Sequence, residues 1–379
     1  MEHSIEEALK LNEKRIQREE LKKNFDSMKS NDELMKAFGQ MEGTNSNLFI
    51  TGRAGTGKST LLKYFVGHTR KKVVVLAPTG LAALNVDGQT IHSFFRFPHT
   101  VIEQSHVKRI SKPGIYKNLD AIIIDEISMV RADMFDAIDI FMRKNGKNPS
   151  RPFGGAQLIL FGDMFQLPPV VTNEDKNLLG KFYDTPYFFS ANAMHNIELH
   201  TIELSEVYRQ SDPVFVGVLD LIRKGASSSE ILKPINSRVD QNFSDDADYI
   251  ILTTTNALVN AKNQKRLEEL QGEAKVYQGI IDGDFNKNSD SLPVDYDLKL
   301  KTQAKVIFAR NDPDGRWVNG SLGIVIGLSD DVIKVKLFDS GEVVSVKKVT
   351  WEKVKYEYDP RDDKIETIPL GRYTQFPLR

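Results

Sequence analysis

The chain has 379 residues, with 51 Lys and Arg against 52 Asp and Glu for a net charge of −1, 40% hydrophobic residues and no cysteine. This is too long for one ordinary core and suits two to three domains of a normal globular mix; the missing cysteines exclude disulfides, cysteine-ligated zinc and iron–sulfur clusters, and fit a reducing cytoplasm. No apolar run is long enough to span a bilayer, the charged N-terminus is no secretory signal, and the chain carries no basic excess, so nucleic-acid binding would need a local channel.

Residues 1–30 alternate acids and bases with apolar positions at loose helical spacing, which reads as a solvated helical arm or as an unstructured leader. Asn31 to Met41 predicts a short helix that opens with Asp32 and Glu33, buries Leu34, Met35 and Phe38, and stops near Gly43. Strands and helices then alternate. NLFI (47–50) predicts a short buried strand, followed by a glycine loop and a helix carrying Leu61, Leu62 and Phe65. KVVVLAP (72–78), LDAIIID (119–125) and AQLILFGD (156–163) are apolar runs ending in polar residues, the pattern of parallel strands covered on both faces. Between the last two, Met134, Phe135, Ile138, Phe141 and Met142 mark one face of a helix. The expectation is a doubly wound α/β domain with its site at the carboxyl ends of the strands.

A second domain is expected from about Asp212. There DPVFVGVLDLIRKG predicts an amphipathic helix closed by Gly225, DYIILTTTN (248–256) a strand, and ALVNAKNQKRLEELQ a helix after it. From Gly320 the segments GIVIGL, DVIKVKLF and EVVSVKKVTW alternate with period two between turn residues, as in a small antiparallel barrel or sheet. The expected divisions are therefore 1–30, 31–211, 212–318 and 319–379.

GRAGTGKST, comprising Gly52, Arg53, Ala54, Gly55, Thr56, Gly57, Lys58, Ser59 and Thr60, matches the P-loop pattern and lies between a predicted strand and a predicted helix. Glycines let successive backbone N–H groups curl around phosphates; Lys58 would reach the β and γ phosphates of a nucleotide, and Ser59 would hold magnesium. Asp125, ending a hydrophobic strand, is placed to meet that magnesium, and Glu126 to polarise an attacking water, which favours hydrolysis over phosphate transfer. In FGDMFQLPPV, Asp163 ends another strand and Gln166 follows by three residues, where an amide can report a γ-phosphate. Arg209, in LSEVYRQSD, has the permanent forked charge that phosphoryl transfer uses. APTGLAALNVDGQTIHSFFRF combines hydroxyls with His92, Phe94, Phe95 and Phe97. It suits a strand-end loop holding single-stranded nucleic acid, although most of its phenylalanines are expected in the core and His92 reads as a structural hydrogen-bonder.

Together these motifs resemble DNA helicases of superfamily 1B, the petite-integration-frequency (Pif-type) branch related to RecD. GRAGTGKST, APTGLAALNVDGQTIHSFF, DEISMV, GDMFQLPPV and VYRQSDPVF stand in that family's order, and RWVNGSLGIV resembles its entry into a small barrel. The resemblance implies a RecA-like P-loop domain, then a second RecA-like domain with a β-barrel insertion, ATP and Mg2+ as cofactors, and 5′-to-3′ movement on single-stranded and forked duplex DNA. It also implies roles in replication, recombination, repair or telomere maintenance. Arg209 would be an arginine finger, and Thr79, His92 and Phe94 would lie on the single-strand path. Gln40 is the nearest candidate for an adenine-reading glutamine. In the family, a phrase like GRYTQFPLR leads into a His-Lys-Ser-Gln-Gly segment and a second arginine box. Neither follows here, so the second motor domain is expected to be incomplete, and the chain to bind ATP while hydrolysing it slowly alone. A RecD-like nuclease subunit and a non-motor P-loop protein are the alternatives.

Overall fold

The computed structural model describes residues 31–98, 100–207, 212–225, 228–240, 250–253, 255–285, 287, 292–359, 361 and 364–379. The arm expected over 1–30 lies outside them. The described chain forms two compact units, one of residues 31–238 with 354–369, the other of 239–353 with 370–379. The expected boundary at 212 thus differs from the division at 238/239.

In chain order the first unit contains α1 (Asp32–Gly43), β1 (Asn47–Gly52), α2 (Lys58–His68), β2 (Val73–Ala77), α3 (Gly80–Asn85), β3 (Gln89–Thr90) and α4 (Ile91–Phe95). It continues with α5 (Gly114–Lys117), β4 (Ala121–Ile124), α6 (Ala132–Asn145), β5 (Gln157–Phe161), α7 (Asn173–Leu179), β6 (Leu199–Leu204), α8 (Pro213–Arg223) and α9 (Ser228–Asn236). The strands form one sheet in the order β3-β2-β4-β5-β1-β6, with every neighbouring pair parallel. Because β5 separates β1 from β4, the carboxyl ends of all three open side by side.

The apolar runs divide between the two sheet faces with the period of a strand. Ile122, Ile124, Leu158 and Leu160 join Phe95, Phe135, Ile138 and Phe141 in one core. Ala121, Ile123, Ile159 and Phe161 join Leu61, Leu62 and Phe65 in the other. Each of the Leu, Ile and Phe side chains contributes about 1.5–3 kcal/mol when fully buried. The side chain of Asn31 caps α1 by accepting from Leu34 N at 2.8 Å. That helix turns Leu34, Ala37 and Met41 inward; Met35 and Phe38, expected in the core, are only partly buried at its edge.

The second unit holds α10 (Asn256–Glu269), β7 (Lys275–Gln278), β8 (Ile280–Gly283), β9 (Asp297–Leu300), β10 (Lys305–Ile307), β11 (Leu322–Leu328), β12 (Ile333–Leu337) and β13 (Val343–Val346). The strands β14 (Val349–Asp359) and β15 (Lys364–Gln375) begin and end in this unit, while their outer parts cluster with the first. A four-stranded sheet runs β10-β11-β12-β13, and its pairings are antiparallel, as are β7–β9 and β8–β15. The period-two reading holds on β12, which buries Ile333, Val335 and Leu337 and exposes Lys334 and Lys336. GRYTQFPLR supplies much of this core. Tyr373, Gln375, Phe376 and Leu378 are fully buried, and the Gln375 amide donates to the carbonyls of Tyr277 and Tyr296 at 2.8 and 3.0 Å.

Among the described residues this unit has no parallel α/β layer, and residues 250–253 of the expected strand are not in one. Ile250, Ile251 and Leu252 are exposed there, with no described strand alongside to complete their backbone hydrogen bonds.

Candidate nucleotide site

β1 ends at Gly52, where a Cβ would come within 2.5 Å of Leu204 O and 2.8 Å of Thr56 Oγ1, so only glycine fits. The loop that follows turns through positive φ at Gly55 (81°) and Gly57 (87°). Thr56 is buried, and its hydroxyl donates to Arg53 O at 2.9 Å, bracing the loop from inside. No side chain caps the start of α2, so its first N–H groups face the loop as anion donors. Lys58 Nζ donates to the carbonyls of Gly52 and Arg53 at 2.7 and 2.9 Å.

β4 delivers the acidic pair. Asp125 N donates to Leu76 O at 2.8 Å, extending the β2–β4 ladder by one residue. Glu126 then turns into the left-handed region, at φ 51° and ψ 44°. That conformation costs a non-glycine residue about 1–2 kcal/mol and re-aims its side chain away from the strand line. Burial, followed by the Glu126 charge, pushes the Asp125 carboxyl up to about 6. Lys58 is shifted downward by its own burial, against the pull of Asp163, Glu126 and Asp125. The lysine therefore sits in the field of these acids, although lysine and acids come from three different strand ends.

Beyond β5, the buried Asp163 organises a turn. Its carboxylate accepts from Phe165 N and from Gln166 Nε2, both at 3.1 Å, while Gln166 N donates to Asp163 O at 3.0 Å. Gln166 itself stands exposed at the site edge. Ser59 is also exposed, in the first turn of α2. Arg209 lies outside the described residues. A separate cavity of about 810 Å³, lined by residues including Asn47, Lys71, Asp120 and Arg151, lies at the opposite, amino ends of the strands and contains none of these groups.

The three residues expected on a single-strand path have different fates. Thr79 is the N-cap of α3, its hydroxyl accepting from Ala82 N at 3.2 Å. His92 is half-buried in α4. Phe94 is corrected: it is 4% exposed and packs edge-to-face on Phe95 and Tyr116, so it holds the loop together and has no free face for a base. Two residues near the site had no expected role. Asp220 and Arg223 both lie in the last turn of α8, and a lone arginine at a helix end carries no sequence signal of such a position.

A parallel α/β sheet with a glycine loop at the carboxyl end of β1, opposed by strand-end carboxylates, defines a P-loop nucleotide-binding protein. The profile of the PIF1-like helicase family matches residues 28–233, more than half of the chain, and the chain belongs to that family. It is 32% identical over 321 residues to the ATP-dependent DNA helicase RRM3 of Saccharomyces cerevisiae, covering 79% of this chain and 42% of that one. It thus spans less than half of that relative's length. Bacteroides sp. Pif1 in complex with ADP-AlF4 superposes with a TM-score of 0.84 at 36% identity, covering 92% of this chain and 80% of that one. Bacteroides Pif1 bound to ssDNA gives 0.59 at 35% identity over the same shares.

Proposed function

We propose that this protein is an ATP-hydrolysing DNA helicase that moves 5′ to 3′ along a single strand and acts on forked duplex DNA. The observation that carries this reading is Lys58, at the uncapped start of α2, in the field of Asp163, Glu126 and Asp125, with Asp163 also accepting from the Gln166 amide. Membership of the PIF1-like family, and the DNA-bound relative, support the choice of DNA as track.

Lys58 would exchange its two loop carbonyls for β and γ phosphate oxygens, while the N–H groups of the loop and of α2 hold the remaining charge. Glu126, turned off the strand axis, would take the proton of the attacking water. Gln166, tethered by Asp163, would donate to the γ-phosphate and sense its loss; Arg209 would add fixed positive charge there. The Ser59 hydroxyl and Asp125 carboxylate fit a magnesium ion. They would supply the sparse oxygen set that magnesium takes alongside phosphates, and Asp125 is a half-buried carboxylate whose pKa is lifted by desolvation and by Glu126. Bound there, the ion would neutralise charge on the phosphates.

The test is ATPase activity with and without single-stranded DNA, on wild type, Lys58→Ala and Glu126→Gln. Single-stranded DNA should stimulate the wild type. Lys58→Ala should abolish nucleotide binding by calorimetry while circular dichroism stays native. Glu126→Gln should bind normally and lose about 10²–10⁴-fold in rate. Unchanged ATP affinity in Lys58→Ala would refute the assigned site.

A further inference from the structure

Asp163 is almost completely buried, and its oxygens already hold the turn that carries Gln166. Its counter-charge comes from a different element, 60 residues on. Arg223, in the last turn of α8, brings Nε to 3.4 Å from Asp163 Oδ1 and Nη1 to 3.7 Å from Glu203 Oε1. The Arg223 side chain is only 15% exposed, and its guanidinium lies over the Phe165 ring, 4.7 Å from the centroid. Three residues before it in the same turn, Asp220 stands 3.2 Å from Arg53 Nε in the P-loop and 2.7 Å from Lys224 Nζ. The last turn of α8 therefore grips both walls of the nucleotide site.

We propose that Arg223 is a positioning residue for the γ-phosphate sensor. It neutralises the buried Asp163, clamps Phe165 against its flat face, and so fixes the turn that aims Gln166. A planar, permanently charged fork suits this double role; an ammonium would supply the charge without the stacking surface.

This inference rests on the nucleotide-site reading above, and its test separates the two. The full chain is titrated by calorimetry with ADP and magnesium, and then with ADP, magnesium and aluminium fluoride as a mimic of the γ-phosphate in transfer. Arg223→Gln should bind ADP within about threefold of wild type and the mimic at least about tenfold more weakly. Arg223→Lys should recover part of that loss, and it carries the test if Arg223→Gln fails to fold. In a Gln166→Ala background, Arg223→Gln should weaken the mimic by less than about twofold more, because both changes remove one function. Equal weakening of both ligands, no weakening, or multiplying effects of the two substitutions would overturn the positioning role. A wild type that binds both ligands beside an indistinguishable Arg223→Gln defeats this inference alone. A wild type that binds neither defeats the proposed function and this inference with it.

Discussion

Asp125 shows what a strand-end carboxylate costs. Burial and the charge on Glu126 lift its carboxyl to about 6, against a backbone hydrogen bond and Lys58, which pull the other way. An unfolded Asp titrates near 3.9, so between about pH 4 and 6 the folded chain keeps a proton that the unfolded chain has released. Stability from this group is therefore fully present below about pH 4 and is lost as pH rises through 6, a loss of about 3 kcal/mol. Asp125→Asn should raise the thermal midpoint at pH 7.5 and flatten its dependence over pH 4–6. A variant whose midpoint follows the wild-type slope across that range would show that Asp125 is not the group responsible. Glu126, in its left-handed backbone, adds a second local cost beside the first. Both residues were legible as a pair at the end of an apolar run, but neither cost was. The costs come from what surrounds the strand end in space.

At the scale of the element, α6 has two buried faces. Its apolar stripe, Phe135, Ile138 and Phe141 among it, follows directly from periodicity. The opposite stripe is acidic and also buried: Asp133 accepts from Ile102 N at 2.7 Å, Asp136 from Asn192 N and Ala193 N at 3.1 and 2.7 Å, and Asp139 from Phe153 N at 2.6 Å. Three carboxylates spaced three apart thus fasten three loops to one helix. Asp136 also accepts from the Tyr183 hydroxyl at 3.0 Å, and burial together with its charge pushes that hydroxyl's pKa upward. Asp136→Ala would strand two backbone N–H groups and a phenol. It should lower stability by about 3 kcal/mol in urea melts and bring the Tyr183 titration down. A loss under about 0.5 kcal/mol would mean that the loop does not depend on this anchor. The acidic stripe was unreadable because its partners lie 14 to 57 residues away.

Over the whole molecule, the two compact units differ in their reporters. Both tryptophans of the chain, Trp317 and Trp351, are buried in the unit of 239–353 with 370–379, whereas Lys58, Asp125 and Gln166 all belong to the other. Nucleotide at a hundredfold excess over its Kd stabilises the unit that binds it by about 2.7 kcal/mol. ATP with magnesium should therefore raise the melting midpoint seen by helical circular dichroism and leave the tryptophan-fluorescence midpoint within about 1 °C. Parallel shifts of both signals would show that the units unfold as one. The outer parts of β14 and β15, within 354–369, complicate any cut between them. Tyr356 accepts at its hydroxyl from Val75 N at 3.1 Å and packs edge-to-face on Phe94, so that stretch completes the core of the P-loop unit.

The sequence by itself determined the parallel sheet, the phosphate-gripping loop, the acidic pair and the family, because each is written in a contiguous run whose period or spacing is its physics. Tertiary structure alone decided that Arg223 serves Asp163, that an acidic helix face anchors loops, that Phe94 is core, and that 354–369 belongs with the P-loop unit. Those outcomes depend on distances between residues far apart in the chain. Charge compensation and burial act through space, and no local pattern encodes which distant side chain will supply them.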